Sequence, residues 1–438
     1  MQLTSATDAT AAQRSGGPGS ALARLNNPIA IGLVALVGWL IYVLARWKVW
    51  AAGHITLFIM SGSVRYSHPA QMIPKISHVP SIGYDGQFYY RFARNPFNWN
   101  PTAYGITVDH NYRYTRIGYS LVAWIVSLGG NAHLLPTVLV VLNLIFVGVI
   151  GYLGARLAQE SGRHALWGLL FVAYFGLVIS VGRDTSEPLA DACMLGGLLA
   201  YRHLKYVLAA LLVAYGVFTN EPILVLPVAI AVVRLWQFWR RQARPGKPDL
   251  IWVLPGALYV VLELAEKIVV KGKSGGVADA TSNLTLPFKA LVPGVYRDIA
   301  KMSWSHLGLY DYNLIEFIAL AIVVVAGLLA LRASTTTIYE KAGFVGFVLV
   351  ELVIASGQFW DSTFGDGRTY IDAFLMAVLV LIATPAGTVS GAVRRAHASV
   401  LDRVFAADRV ITNKRLAWIF APAIVVLVVV ARRHVLHQ

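Results

Sequence analysis

Apolar runs separated by short polar segments dominate the chain, and their lengths predict membrane-spanning helices. The first, Pro28 to Leu44, is closed by Arg46 and Lys48. It is too long for a signal-peptide core and lacks a small-residue cleavage site, so it reads as an uncleaved span. Residues 1–24, rich in Ala, Ser, Thr and Gly, then read as a disordered cytoplasmic tail. Further spans are expected at 134–155, 164–181, 187–202, 206–218, 221–236, 250–268, 314–332, 342–357, 370–386 and 416–431. Ile117 to Leu128 falls short of the roughly 20 residues that a perpendicular helix needs, so 116–128 either crosses obliquely or only dips in, and the chain has about 11 or 12 transmembrane helices.

Polar segments between the runs set the expected sidedness. The loop 240–247 carries Arg240, Arg241, Arg244 and Lys247, and the segment 387–415 carries Arg394, Arg395, Arg403, Arg409, Lys414 and Arg415; both are expected in the cytoplasm. Counting outward from them places 182–186, 219–220, 269–313 and 358–369 outside. Pro69, Pro74, Pro80, Pro96 and Pro101 forbid a long helix over 51–116, which reads as a large first external loop. Within it, Phe88 to Ala93 fits a short helix lying on the membrane, with its rings and arginines among headgroups and Asp85 just before the first turn. The segment 269–313 reads as a second external loop. Residues 25–438 thus form one transmembrane domain, all-α and polytopic.

Composition agrees with this reading and narrows the chemistry. Of 438 residues, 57% are hydrophobic and 13% charged, with mean hydropathy +0.61, which excludes a multidomain soluble protein. Lys and Arg number 37 against 22 Asp and Glu, an excess explained by cytoplasmic loops or by anionic lipid and phosphate partners. The lone Cys193 permits no internal disulfide. No phosphate-binding Walker loop or dinucleotide glycine fingerprint is present, and the basic residues form no continuous face for nucleic acid.

Three polar clusters at the ends of apolar runs remain for chemistry. Gly83 to Pro96 contains Tyr84, Asp85, Gln87, Tyr89 and Arg91. An Asp before a Gly is ordinarily a turn former, yet a carboxylate among rings and guanidinium groups is suited to take a proton from a hydroxyl. Gly182 to Pro188 contains Arg183, Asp184 and Glu187, either a helix cap or a site in which Arg183 holds a phosphate while an acid contacts sugar hydroxyls; Glu221 admits the same two readings. Gln358 to Tyr370 contains Asp366 and Arg368, a turn in which Arg368 can clamp a lipid phosphate. Arg113, Arg116, Lys301 and His306 are alternatives for that task.

The order of these features resembles the GT-C superfamily of polyprenyl-phosphate-sugar-dependent membrane glycosyltransferases. The likeness rests on the first span, the loop with Tyr84-Asp85-Gly86-Gln87-Phe88-Tyr89-Tyr90, the later Tyr112-Arg113-Tyr114-Thr115-Arg116, and Thr219-Asn220-Glu221-Pro222, and it runs loosely from 28 to 386. It implies an enzyme of the bacterial inner membrane with its active site facing the periplasm. A sugar would pass from a lipid-linked donor to an envelope acceptor, with Asp85 as the general base. Many members carry an acid pair where this chain has Tyr84-Asp85-Gly86, so a metal, Mg²⁺ or Mn²⁺, would need Asp109 and His110 beside Asp85. A transporter or flippase of lipid-linked sugars, with Glu263, Glu266, Glu351 and Asp372 along a pathway, is the rival reading, followed by an envelope polysaccharide polymerase and a noncatalytic assembly partner.

Overall fold

A computed structural model describes residues 25–64, 66–72, 74–270, 285–303, 309–353, 366–385 and 412–436. The tail 1–24, the glycine-rich start of the segment 269–313, His306, the cluster residues 358–365 and most of the basic segment 387–415 lie outside the described residues. The chain is an all-α polytopic membrane protein. Its sole sheet among the described residues is the two-stranded ribbon of β1 (Thr102–Ala103) and β2 (Ile106–Thr107) in the first loop.

The helices are α1 (Pro28–Val49), α2 (Gly86–Arg94), α3 (Gly118–Val126), α4 (Leu135–Glu160), α5 (Gly176–Gly182), α6 (Glu187–Arg202), α7 (Tyr206–Thr219) and α8 (Val225–Trp239). They continue as α9 (Lys247–Ile251), α10 (Leu254–Val270), α11 (Leu291–Lys301), α12 (Leu309–Ala330), α13 (Ile338–Val353), α14 (Asp366–Thr369), α15 (Ile371–Ile382) and α16 (Asn413–Leu436). A 3₁₀ segment, Ala165–Val172, precedes α5, and another, Glu221–Leu224, leads into α8. Local chemistry sets several starts. Asn27 caps α1 by accepting from the Ile29 amide, and prolines occupy the first turns of α1, α4 and α6.

Small residues let α1 and α4 close on each other. A Cβ at Gly32 would lie 2.9 Å from the Gly148 carbonyl oxygen, and one at Gly151 would lie 2.7 Å from Cβ of Ala35. Where lipid offers no hydrophobic drive between helices, such close packing is a main source of association.

Polar contacts gather the helix ends into two groups. At one end, Arg163 donates to the carbonyls of Ile382 and Thr384 and to Asn413, Arg202 pairs with Glu160 and Glu340, and Arg234 pairs with Asp249. At the other, Arg46 in the last turn of α1 donates to the carbonyls of Gly182 and His434 and thereby ties together the C-terminal ends of α1, α5 and α16. It satisfies carbonyls that a helix end otherwise leaves unpaired. The Lys48 neighbour aside, this basic residue is fully buried, and serves as a tie rather than as a surface charge. Asp85 lies at this second end.

Among the described residues, six helices are long and apolar enough to cross a membrane, and a seventh span results if Ala165–Val172 and α5, bent by 67°, are one. Their ends support that union, because Arg163 belongs to the first group and Gly182 to the second. The shorter helices α6, α7 and α15 run between the same two groups; α15, with 12 residues, covers only about 18 Å. Length alone therefore counts fewer spans than the apolar runs suggest. The nine-residue α3 covers about 14 Å and does not traverse: Tyr215 near the end of α7 donates to Gly118 at its start, while Gly130 beyond its end abuts the Arg94 carbonyl of α2.

The short helix of the first loop corrects one expectation. Residues 86–93 of α2 are all buried, so the helix does not lie on a lipid surface. Its walls are the loop residues Ile59, Met72, Ile76 and Ile106 and the helices α3 and α4, which cover Phe88, Tyr89, Tyr90 and Ala93.

Candidate active site

The site is built where the loop meets the helix ends. Tyr84 donates its amide to the Met60 carbonyl at 2.9 Å, and Gly83, at φ +80°, turns the chain from this bridge into α2. Gly86 serves a different need: a Cβ there would lie 2.3 Å from the Arg183 carbonyl oxygen and 2.7 Å from that of Ile59. The glycine after Asp85 is therefore a point of close approach between the α2 start and the 183–186 loop, not a turn residue. Gly86→Ala should lower stability by about 1–3 kcal/mol, because two backbones would have to separate; a thermal unfolding midpoint equal to wild type would contradict it.

Asp85 sits at the N-cap position but makes no capping bond, contrary to the orientation by helix amides that the sequence suggests. Two guanidinium groups hold its carboxylate instead. Arg113 donates from Nη2 to Oδ1 at 2.9 Å, and Arg368 donates from Nη2 to Oδ2 at 2.5 Å. Burial alone would raise this carboxyl, but the two cations outweigh it and hold Asp85 well below the usual carboxylate range. Arg368 also faces Glu187 at 3.3 Å, and Glu187 accepts from the Thr185 hydroxyl. Arg113 pairs in turn with Asp109, four residues earlier.

Tyr84 forms the floor, with the Arg183 guanidinium 4.3 Å and that of Arg368 4.9 Å from its ring centre. Burial raises the Tyr84 hydroxyl despite the opposing fields of Arg368 and Arg183. Tyr89, one helical turn after Asp85, accepts from the Ser186 hydroxyl at 2.7 Å and packs edge-on to Tyr119; burial pushes it up to about 12. Beside this cluster, Arg116 holds Glu221 through both carboxylate oxygens, with its guanidinium 4.5 Å from the Tyr112 ring. Glu221 is thus neither a free site acid nor a cap.

The structure brings together Tyr84, Asp85, Tyr89, Arg113, Arg183, Glu187 and Arg368, drawn from three distant segments. Other expected site residues point elsewhere. Gln87 is 1% exposed and spends its amide on Ser67, Gly62 and Ile82 within the loop. Arg91 is fully buried, donates to the carbonyls of Asn98 and Asn100, and lies against Phe92 and Tyr114. Nothing is described of the Asp366 side chain beyond the start of α14.

Asp184 is also unavailable to a substrate. It is fully buried at φ +48°, and among the described residues neither carboxylate oxygen has a hydrogen-bond partner. Burial raises its carboxyl well above the ordinary value, against the attraction of Arg46. With the folded value raised, stability is full below the unfolded value near 3.9 and falls by about 1.4 kcal/mol per pH unit as pH rises toward the folded value. Asp184→Asn removes that slope, and Asn tolerates a left-handed backbone well. Its thermal midpoint should exceed wild type by a margin that grows from pH 4 upward; a margin independent of pH would exclude this account.

The metal reading does not fit. Asp85 and Asp109 are bridged by the Arg113 guanidinium, which occupies the place a cation would take between them, and the His110 ring nitrogen is 4.0 Å from Asp109. Among the described residues no group of three or more His, Cys, Asp or Glu side chains is placed to hold a metal ion.

Sequence reasoning passed over Asp191, one turn beyond Glu187 on α6 and 1% exposed, and Arg46 as a tie between helices. The signal for Asp191 is present: an ionisable residue inside an apolar run is a functional candidate in itself. Compared with known proteins, the chain matches no family model, no curated protein and no solved structure.

Proposed function

We propose that the protein is a membrane glycosyltransferase of GT-C type that moves one sugar from a polyprenyl-phosphate carrier to an envelope acceptor, at the periplasmic face of a bacterial inner membrane. The observation that carries this reading is the Asp85 carboxylate held between Arg113 and Arg368 at one end of a bundle of membrane helices. A phosphate on a lipid reaches such a place from the bilayer, and guanidinium groups bind it in bidentate fashion. The exposed Arg240, Arg241, Arg244 and Lys247 belong to the opposite end, which supports a cytoplasmic position for that end and a periplasmic one for Asp85.

In this mechanism the acceptor hydroxyl oxygen bonds to the anomeric carbon as the bond from that carbon to the phosphate oxygen breaks. The hydroxyl proton passes to Asp85, and the carrier leaves as a polyprenyl phosphate whose growing charge Arg368 and Arg183 offset. A single displacement inverts the anomeric centre. Purified protein incubated with a radiolabelled polyprenyl-phosphate sugar and envelope lipids should yield a labelled acceptor; retention of all label on the carrier would overturn the proposal.

A carrier of lipid-linked sugars is the second reading. It is favoured by Asp191 on α6 and Asp372 on α15, which are 1% and 3% exposed and lie within membrane helices. Movement of the label across vesicles without transfer would select it.

A further inference from the structure

The guanidinium edge that a lipid phosphate needs is already occupied. Arg368 presents Nη2 to Asp85 at 2.5 Å and Nη1 to Glu187 at 3.3 Å, so both of its terminal nitrogens face carboxylates of the protein. Across the cluster, Arg113, Arg183 and Arg368 equal in number Asp85, Asp109 and Glu187, and the ion pairs to Asp85 and Glu187 both fall on Arg368. Bidentate phosphate binding requires two donors on one edge. For Arg368 to bind a phosphate in this way, at least one of its two carboxylates must therefore withdraw.

The two carboxylates differ in their freedom to do so. Glu187 is 4% exposed, begins α6 and is held by Thr185. The Asp85 side chain is 15% exposed, lies on a loop-to-helix junction and keeps a second partner in Arg113 when Arg368 leaves. We infer that Asp85 occupies the phosphate seat of Arg368 in the empty protein, and that an arriving lipid phosphate displaces it, freeing one carboxylate oxygen toward the acceptor.

This inference rests on the reading of the ligand as a phosphate. It answers a difficulty in that reading, since a carboxylate clamped by two cations is a weak base. Displacement by the donor leaves Asp85 with Arg113 alone, so the base becomes competent only when there is a sugar to transfer. Proton uptake by Asp85 at an empty site is thereby suppressed, and the donor binds before the acceptor reacts.

The test needs no turnover. Full-length protein in detergent is titrated with farnesyl monophosphate, with farnesol as the uncharged control. Asp85→Asn and Asp85→Ala should each bind farnesyl monophosphate about tenfold more tightly than wild type, with farnesol unchanged, because a competing anion has gone. In wild type with ¹³C-labelled Asp, infrared difference spectra should show a carboxylate band that shifts on adding farnesyl monophosphate and not on adding farnesol. Affinities equal to or weaker than wild type in both variants, together with an unshifted band, would overturn the displacement and leave phosphate binding intact. Equal affinities for farnesyl monophosphate and farnesol in wild type and variants would overturn the phosphate reading along with it.

Discussion

Replacing Asp85 with Asn lowers sugar transfer by about 10²–10⁴-fold, the range expected when a general base is removed from a positioned hydroxyl. The amide keeps the shape of the carboxylate, but its single oxygen accepts from only one of Arg113 and Arg368, so a thermal unfolding midpoint is measured beside the rate to separate loss of the base from loss of the fold. Transfer measured with the labelled carrier is the readout, and wild-type rates in the variant would end the assignment. The loss should fall on kcat, through the acceptor proton, while the KM for the donor stays level or falls, since the anion that competes for Arg368 has gone. In the empty protein Arg113 and Arg368 together hold the Asp85 carboxyl well below the usual carboxylate range, so acid alone should not protonate it before the donor arrives.

Arg368→Ala carries a double penalty. Transfer should drop by about 10²–10³-fold through loss of a charge that stabilises the leaving phosphate. Stability should also fall by about 3–5 kcal/mol, as for a buried pair deprived of one partner, because Glu187 at 4% exposure loses its guanidinium and Asp85 keeps only Arg113. Arg368→Lys should restore little of either, since a single ammonium cannot present two nitrogens in a plane to Asp85 and Glu187. A Lys variant with full activity would show that charge alone is needed at this position. Burial lowers the Arg368 guanidinium, yet Glu187, Tyr84 and Asp85 outweigh it and keep the group charged, so its contribution should be independent of pH over the working range.

The membrane helices were legible because the bilayer imposes one solvent on every span: an apolar run of sufficient length has few other fates. Short traverses such as α15 were legible for the same reason, although a length criterion misses them. Within the site, Asp85, Arg113, Arg183, Glu187 and Arg368 stood out as charges at the ends of apolar runs. What the sequence reading did not sort was direction. Asp85 and Tyr89 are four residues apart and share the face of α2 that meets Arg368 and Ser186, whereas Gln87 and Arg91, also four apart, face the loop at Ser67 and Asn100. A helical period applied to the motif separates the two pairs. The bridge that Arg113 makes between Asp85 and Asp109 was not legible, since it depends on the path of the loop between them. Asp184 and Glu187 looked equivalent as acids for sugar hydroxyls, but Asp184 is fully buried at a left-handed backbone position.

Asp85 and Arg368 are 283 residues apart in sequence, while Asp85 and Arg113 are separated by 28. At a ribosome speed of about 5–20 residues per second, Arg368 emerges about 15–60 s after Asp85. From the emergence of Arg113, 28 residues after Asp85, until that of Arg368, the nascent chain contains only one of the two guanidinium groups that hold Asp85. A chain stopped before residue 366 would lack Arg368, and with it one side of the clamp on Asp85.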